Sequence, residues 1–124
     1  MRFPSHAMKL FVIGIAGLTA SASPVWSAQA VLTGTVERVL TTDGRNFGGC
    51  MAFLSANPQN ALPRCAWGWV SFSCSGDYTQ PAFGFRMLDQ AQLALAGGKF
   101  VQVHIDDTRL HDGYCFAYRI DVIR

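Results

Sequence analysis

The residues best suited to chemistry crowd into one short segment near the C-terminus, where two histidines and three aspartates fall within nine positions. Imidazole and carboxylate groups bind divalent metal ions and transfer protons in general acid–base catalysis. A polar strand face that leads into a solvated hairpin loop needs the same residue types, and we favour that interpretation. Metal-dependent activity at this final hairpin is the weaker alternative; the residues are His104, Asp106, Asp107, His111 and Asp112.

No other group of residues has the spacing of a catalytic site. No carboxylate pair sits in a pattern that fixes glycosidase geometry. Ser71, Ser73 and Ser75 lie on or just after a predicted strand, without the motif of a nucleophile elbow. We therefore expect neither an enzyme nor a bound cofactor or metal.

Two tryptophans separated by one glycine are the strongest candidates for ligand recognition. If Val70 and Phe72 face the core, strand alternation turns Trp67 and Trp69 outward on the same side. Two indoles on one face can form a platform for sugar rings or for the apolar surface of a partner. The alternatives are that both fill the core of a small domain or lie buried between subunits.

Arginine and tyrosine side chains near the final hairpin add hydrogen-bonding groups. Arg109 can bind a carboxylate through two parallel hydrogen bonds, and an acidic sugar carries such a group. Surface ion pairs, for example between Arg119 and Asp121, are the alternative use of such residues. The predicted ligand-binding set is Trp67, Trp69, Arg109, His111 and Tyr114.

The elements that must position these residues follow the order β-β-β-α-β-β. Alternating or β-branched runs predict strands over 31–42, 50–54, 64–74 and 101–106 and a last strand after Asp112-Gly113. In the last strand, alternation predicts one face made of Phe116, Tyr118, Ile120 and Val122. A helix begins at Pro81 and stops at Gly97-Gly98, and its spacing aligns Phe85, Leu88, Gln92 and Leu95.

This order is typical of a small five-stranded OB-like barrel, mainly β with one helix, and a two-layer α+β sandwich is the alternative. Four cysteines separated by fifteen, nine and forty-one positions indicate disulfides, because zinc ligands come in closer pairs. In the barrel, neighbouring strands favour the pairs Cys50–Cys74 and Cys65–Cys115. A Cys50–Cys65 pair stays open.

The N-terminal residues 1–30 are typical of a removable signal peptide. Arg2 and Lys9 precede an apolar run too short to span a bilayer, and Ala28-Gln29-Ala30 supplies the small residues that a signal peptidase needs. Ala20-Ser21-Ala22 is a second candidate. We therefore expect a single domain over residues 31–124 that is secreted or periplasmic and has no membrane anchor.

Removing that segment also removes two of the ten basic residues, which leaves eight cations against eight acids. A net charge near zero does not provide the basic surface that a phosphate backbone requires. Nucleic acid is therefore excluded as a partner.

The central half of the predicted domain resembles the binding (B) subunits of subtilase cytotoxin and of typhoid- and pertussis-like toxins. The resemblance rests on Leu88-Asp89-Gln90-Ala91, on Gly97-Gly98, on Val101-Gln-Val-His-Ile105, and on the placement of Cys50 and Cys74. It implies an OB-fold, a homo-pentameric ring, glycan binding and an enzymatic A subunit as partner. The expected function is thus an exported module that recognises a carbohydrate or cell-surface receptor. A protein-interaction or inhibitor domain is the alternative.

Overall fold

Five strands close into a barrel around one hydrophobic core. A computed structural model of the chain describes residues 17–20 and 28–124. The strands are β1 Gln29–Thr41, β2 Cys50–Leu54, β3 Trp69–Ser71, β4 Phe100–His111 and β5 Tyr114–Ile123; the helical elements are a 3-10 segment Asn46–Gly49, α1 Pro58–Ala61 and α2 Pro81–Gly97. Hydrogen bonding follows the ring β1-β2-β3-β5-β4, and only β3 and β5 are parallel. The predicted OB-like barrel is confirmed, and the sandwich is excluded.

The predicted signal peptide, residues 1–30, lies for the most part outside the described residues. β1 begins at Gln29, so its first two residues fall within the last two positions of that segment and pair with β4. No helix of the described residues is long and apolar enough to cross a bilayer.

α2 packs against β1, β2 and β5 and is capped at its C-terminus by Gly98, which adopts a left-handed φ of 60°. Its buried residues, at helical spacing, are Gly84, Leu88, Ala91 and Ala94. Small side chains dominate this stripe, which lets the helix approach the barrel closely. The helix is confirmed. Of its predicted buried face only Leu88 is correct, because Phe85 and Leu95 are 46% and 39% exposed.

The third strand is much shorter than predicted. Gly68 before it and Ser73 after it have φ values of 81° and 56°, and left-handed residues cannot continue a strand. β3 therefore keeps only Trp69–Ser71 of the predicted stretch 64–74.

The final hairpin is longer than predicted and carries two bulges. β4 continues to His111 through the predicted loop, with extra residues between Asp106 and Leu110 that have no partner on β5. On β5, the register shift at Tyr118 reverses the alternation. The predicted single face is therefore wrong: Ile120 and Val122 pack on the core cluster, and Phe116 and Tyr118 do not.

Both predicted disulfides are confirmed. Cys50 pairs with Cys74 across the ends of the β2–β3 ribbon, and Cys65 pairs with Cys115 on β5, with Cα atoms 5.6 and 5.1 Å apart. The Cys50–Cys65 alternative is excluded. Two bridges in a domain of this size indicate an oxidising environment.

Candidate ligand-binding surface

Trp67 and Trp69 lie on the outside of the barrel, and both contact Phe53 of β2. Each indole ring is 5.2 Å from the Phe53 ring in an edge-to-face arrangement. Gly68 makes this possible, because a Cβ at its φ of 81° would collide with the Phe53 ring. Trp67 is 61% exposed and Trp69 is half-buried. The result is a solvent-facing indole on a fixed aromatic support.

A pocket of about 170 Å³ opens next to Trp69. The guanidinium of Arg38 lies 5.4 Å from the Trp69 ring, which is cation–π distance. The rings of Phe47 and Tyr114 meet edge to face at 5.9 Å on the other side. The pocket is lined by Leu40, Phe47, Met51, Trp69 and Tyr114. We call Phe47, Phe53, Trp67, Trp69 and Tyr114 together the aromatic surface.

Phe47 is held in place by the final hairpin. Its left-handed φ of 56° is unusual for an aromatic residue. Its N–H donates to the Asp112 carboxylate at 2.8 Å, and its carbonyl accepts the Ser71 hydroxyl at 2.9 Å. The turn between β4 and β5 therefore positions one wall of the pocket.

Arg109 lies away from the aromatic surface and makes internal contacts. Its guanidinium donates to the Asp106 carboxylate at 3.1 Å and covers the Phe116 ring at 4.7 Å. Burial favours the neutral form of Asp106, but hydrogen bonds from Thr108 and Arg109 outweigh it and hold the pKa of this carboxyl below its ordinary value. Asp106 is therefore an anion that orders the β4 bulge.

His111 is buried beneath Tyr78, whose ring lies 4.6 Å from the imidazole. Its Nε2 is 3.0 Å from the Ser73 hydroxyl, and its Nδ1 is 3.9 Å from the Asp77 carboxylate. Burial lowers the pKa of His111, although Asp77 and Asp112 act in the opposite direction. The imidazole is therefore neutral at neutral pH.

Ser73, His111 and Asp77 are arranged like the serine, histidine and aspartate of a catalytic triad. Ser73 also has a left-handed φ, which the sequence analysis did not predict. The Ser73 hydroxyl is fully buried, however, and accepts the Tyr78 N–H at 3.0 Å. A substrate carbonyl has no path to this oxygen. We interpret the three residues as a structural polar network in which Ser73 and His111 are buried and Asp77 is exposed.

The remaining polar residues of the final hairpin diverge. Asp107 accepts the Ala28 N–H at 3.1 Å, and His104 lies on the opposite sheet face from the core, 3.9 Å from Asp121. Across residues 17–20 and 28–124, no three His, Cys, Asp or Glu side chains are grouped to hold a metal ion.

The structure thus brings Trp67, Trp69 and Tyr114 of the predicted set onto one surface and leaves Arg109 and His111 apart from it. The sequence analysis did not include Phe53 and Met51 in the binding surface. Strand alternation could have indicated them, because with Cys50 facing the core both side chains point away from the core cluster. The chain matches no family model, and no curated protein or solved structure has significant similarity to it. The resemblance to toxin B subunits stays a prediction.

Proposed function

We propose that this protein is an exported binding module that recognises carbohydrate on its aromatic surface. The observation that carries the proposal is the Trp67 indole, which is 61% exposed yet supported by Phe53. An exposed indole packs on the apolar face of a sugar ring at little cost in conformational entropy. Arg38 lies against the Trp69 ring and Tyr114 lines the neighbouring pocket, and both side chains carry hydrogen-bonding groups suited to sugar hydroxyls.

Under this proposal the protein works in the periplasm or outside the cell, in keeping with its two disulfides. The resemblance to toxin B subunits adds a homo-pentameric ring and an enzymatic A subunit to the proposal. Light scattering during size-exclusion chromatography tests the ring. A monomeric mass would contradict it while leaving carbohydrate binding open.

A glycan array probed with the purified, oxidised protein tests carbohydrate recognition. We expect Trp67→Ala to abolish the signal and to leave the circular dichroism spectrum unchanged. Phe100→Ala is the matched control, since Phe100 is also an exposed aromatic residue, at 51%, but lies on β4 outside the aromatic surface. Absence of any glycan signal from the unaltered protein would contradict the proposal.

A protein-interaction or inhibitor function is the second candidate, and the pocket favours it. Leu40, Phe47 and Met51 give the pocket an apolar lining that suits an apolar side chain of a protein partner. This function predicts a stable complex with another protein and no glycan signal. Leu40→Asp should abolish that complex, because it would put a charge in the pocket.

A further inference from the structure

The buried imidazole of His111 lies directly under the segment that carries Phe47. A Cβ at Gly48 would collide with the imidazole ring, so this ring and the backbone of the 3-10 segment are in direct contact. The left-handed φ of 56° at Phe47 costs free energy, and the surrounding contacts have to offset that cost. A change in the hydrogen bonding of His111 can therefore reach the residue that forms one wall of the pocket.

One path from His111 to Phe47 runs through two buried serines. Neutral His111 with its proton on Nδ1, which faces Asp77, accepts the Ser73 hydroxyl through Nε2 at 3.0 Å. The Ser73 N–H donates to the Ser71 hydroxyl at 3.2 Å, and this hydroxyl donates to the Phe47 carbonyl at 2.9 Å. Protonation turns Nε2 into a donor, so the fully buried Ser73 hydroxyl loses its acceptor and has to move.

A second path runs through Asp112, which follows His111 in the chain. Its carboxylate accepts the Phe47 N–H at 2.8 Å. An imidazolium would attract this carboxylate and weaken its hold on Phe47, since one anion would then serve two donors. In the described part of the chain, the ionisable groups around the imidazole are Asp77, which binds Arg45 at 3.2 Å, and Tyr78, Asp112 and Tyr114.

We infer that protonation of His111 in weakly acidic medium frees Phe47 from its position, so that the aromatic surface releases its ligand. The inference rests on the proposed function, because it concerns the regulation of that same surface. At neutral pH the imidazole is neutral, and both paths hold Phe47 against the Tyr114 ring. Because the ligand favours the neutral form of His111, a bound ligand should in turn lower the pKa of His111.

An NMR titration of the oxidised protein between about pH 7.5 and pH 5 tests the inference without any ligand. The Phe47 amide signal should move with the same midpoint as the His111 imidazole, and the nuclear Overhauser contacts between the Phe47 and Tyr114 rings should weaken. Protonation of His104, on the outer face beside Asp121, should leave the Phe47 signal in place. A fixed Phe47 signal while His111 is protonated, or no protonation of His111 above about pH 5, would overturn the inference.

Variants and a glycan array separate this pH response from carbohydrate recognition. The glycan signal should fall at least about fivefold from pH 7.5 to pH 5 in the unaltered protein and in His104→Gln, and it should stay constant in His111→Gln. Asp112→Asn keeps an acceptor for the Phe47 N–H but removes the charge, so it should reduce the movement of the Phe47 signal.

The two proposals fail in different ways. If no glycan binds at either pH while the Phe47 signal still follows His111, carbohydrate recognition is contradicted and the pH response of the pocket is supported. A fall in glycan signal that persists in His111→Gln would overturn the inference, because another group would then be responsible.

Discussion

The aromatic surface and the polar residues of the final hairpin contain all five residues predicted to bind a ligand, but they use them in opposite ways. Trp67 and Tyr114 make ring contacts, and Trp67 leaves most of its area in water. The polar atoms of Arg109 and His111 are hydrogen-bonded to Asp106 and Ser73, respectively. Among the described residues, no buried side-chain nitrogen or oxygen lacks a hydrogen-bond partner. The aromatic surface is therefore accessible to a ligand, whereas the polar residues of the final hairpin stabilise the barrel.

The largest expected effect comes from the bond that joins the two regions. Cys65 lies two residues before Trp67, and Cys115 follows Tyr114 directly, so their disulfide fixes the aromatic surface to β5. The Cys65→Ala/Cys115→Ala variant releases a loop closed across 50 positions and should lose about 4 kcal/mol of unfolding free energy. Urea unfolding measures it. An unchanged midpoint would mean that side-chain packing alone fixes the surface.

A smaller loss is expected from Gly68→Ala. Alanine at φ 81° costs about 1 to 2 kcal/mol, and its methyl group would displace the Phe53 ring, so we expect about 3 kcal/mol in total. Gly98→Ala is the matched control, because Gly98 has φ 60° and open space around it. Equal losses in the two variants would contradict the role of Gly68 in supporting the tryptophans.

These positions also show where sequence-based prediction succeeded and where it failed. The alternation of Val101, Val103 and Ile105 and the proline at the start of α2 are local signals, and both elements form where they were predicted, although β4 continues beyond Asp106 to His111. Once those elements were arranged as a barrel, both disulfides could be predicted from which strands are neighbours. The bulge at Tyr118 comes from pairing between β4 and β5, which no local pattern encodes. The contact of both tryptophans with Phe53 likewise depends on the register of β2 against β3.

Acidification should act on the hairpin region through His111. Because burial lowers the pKa of His111, the unfolded chain takes up a proton near pH 6.5, before the folded protein does. Stability should therefore fall as the pH drops below about 6.5 and level off below the folded pKa. The loss should be smaller than that of Gly68→Ala, since Asp77 and Asp112 offset part of the cost.

Urea midpoints between about pH 7.5 and pH 5 measure this slope, a range chosen to stay above the ordinary pKa of most carboxylates. His111→Gln should flatten it, and His104→Gln, on the partly exposed outer face, should leave it in place. A slope that survives His111→Gln would assign the acid sensitivity to other groups.

The smallest expected effect on stability is that of Trp67→Ala. Its indole is mostly in water, and the loss of one edge-to-face contact with Phe53 should cost about 1 kcal/mol. Trp69→Ala should cost about 2 kcal/mol, because Trp69 is half-buried and also contacts Arg38. Unfolding of both variants, measured beside their glycan-array signals, separates binding from folding. If Trp67→Ala destabilised the barrel as much as Trp69→Ala, the indole would be a structural element and not a free binding face.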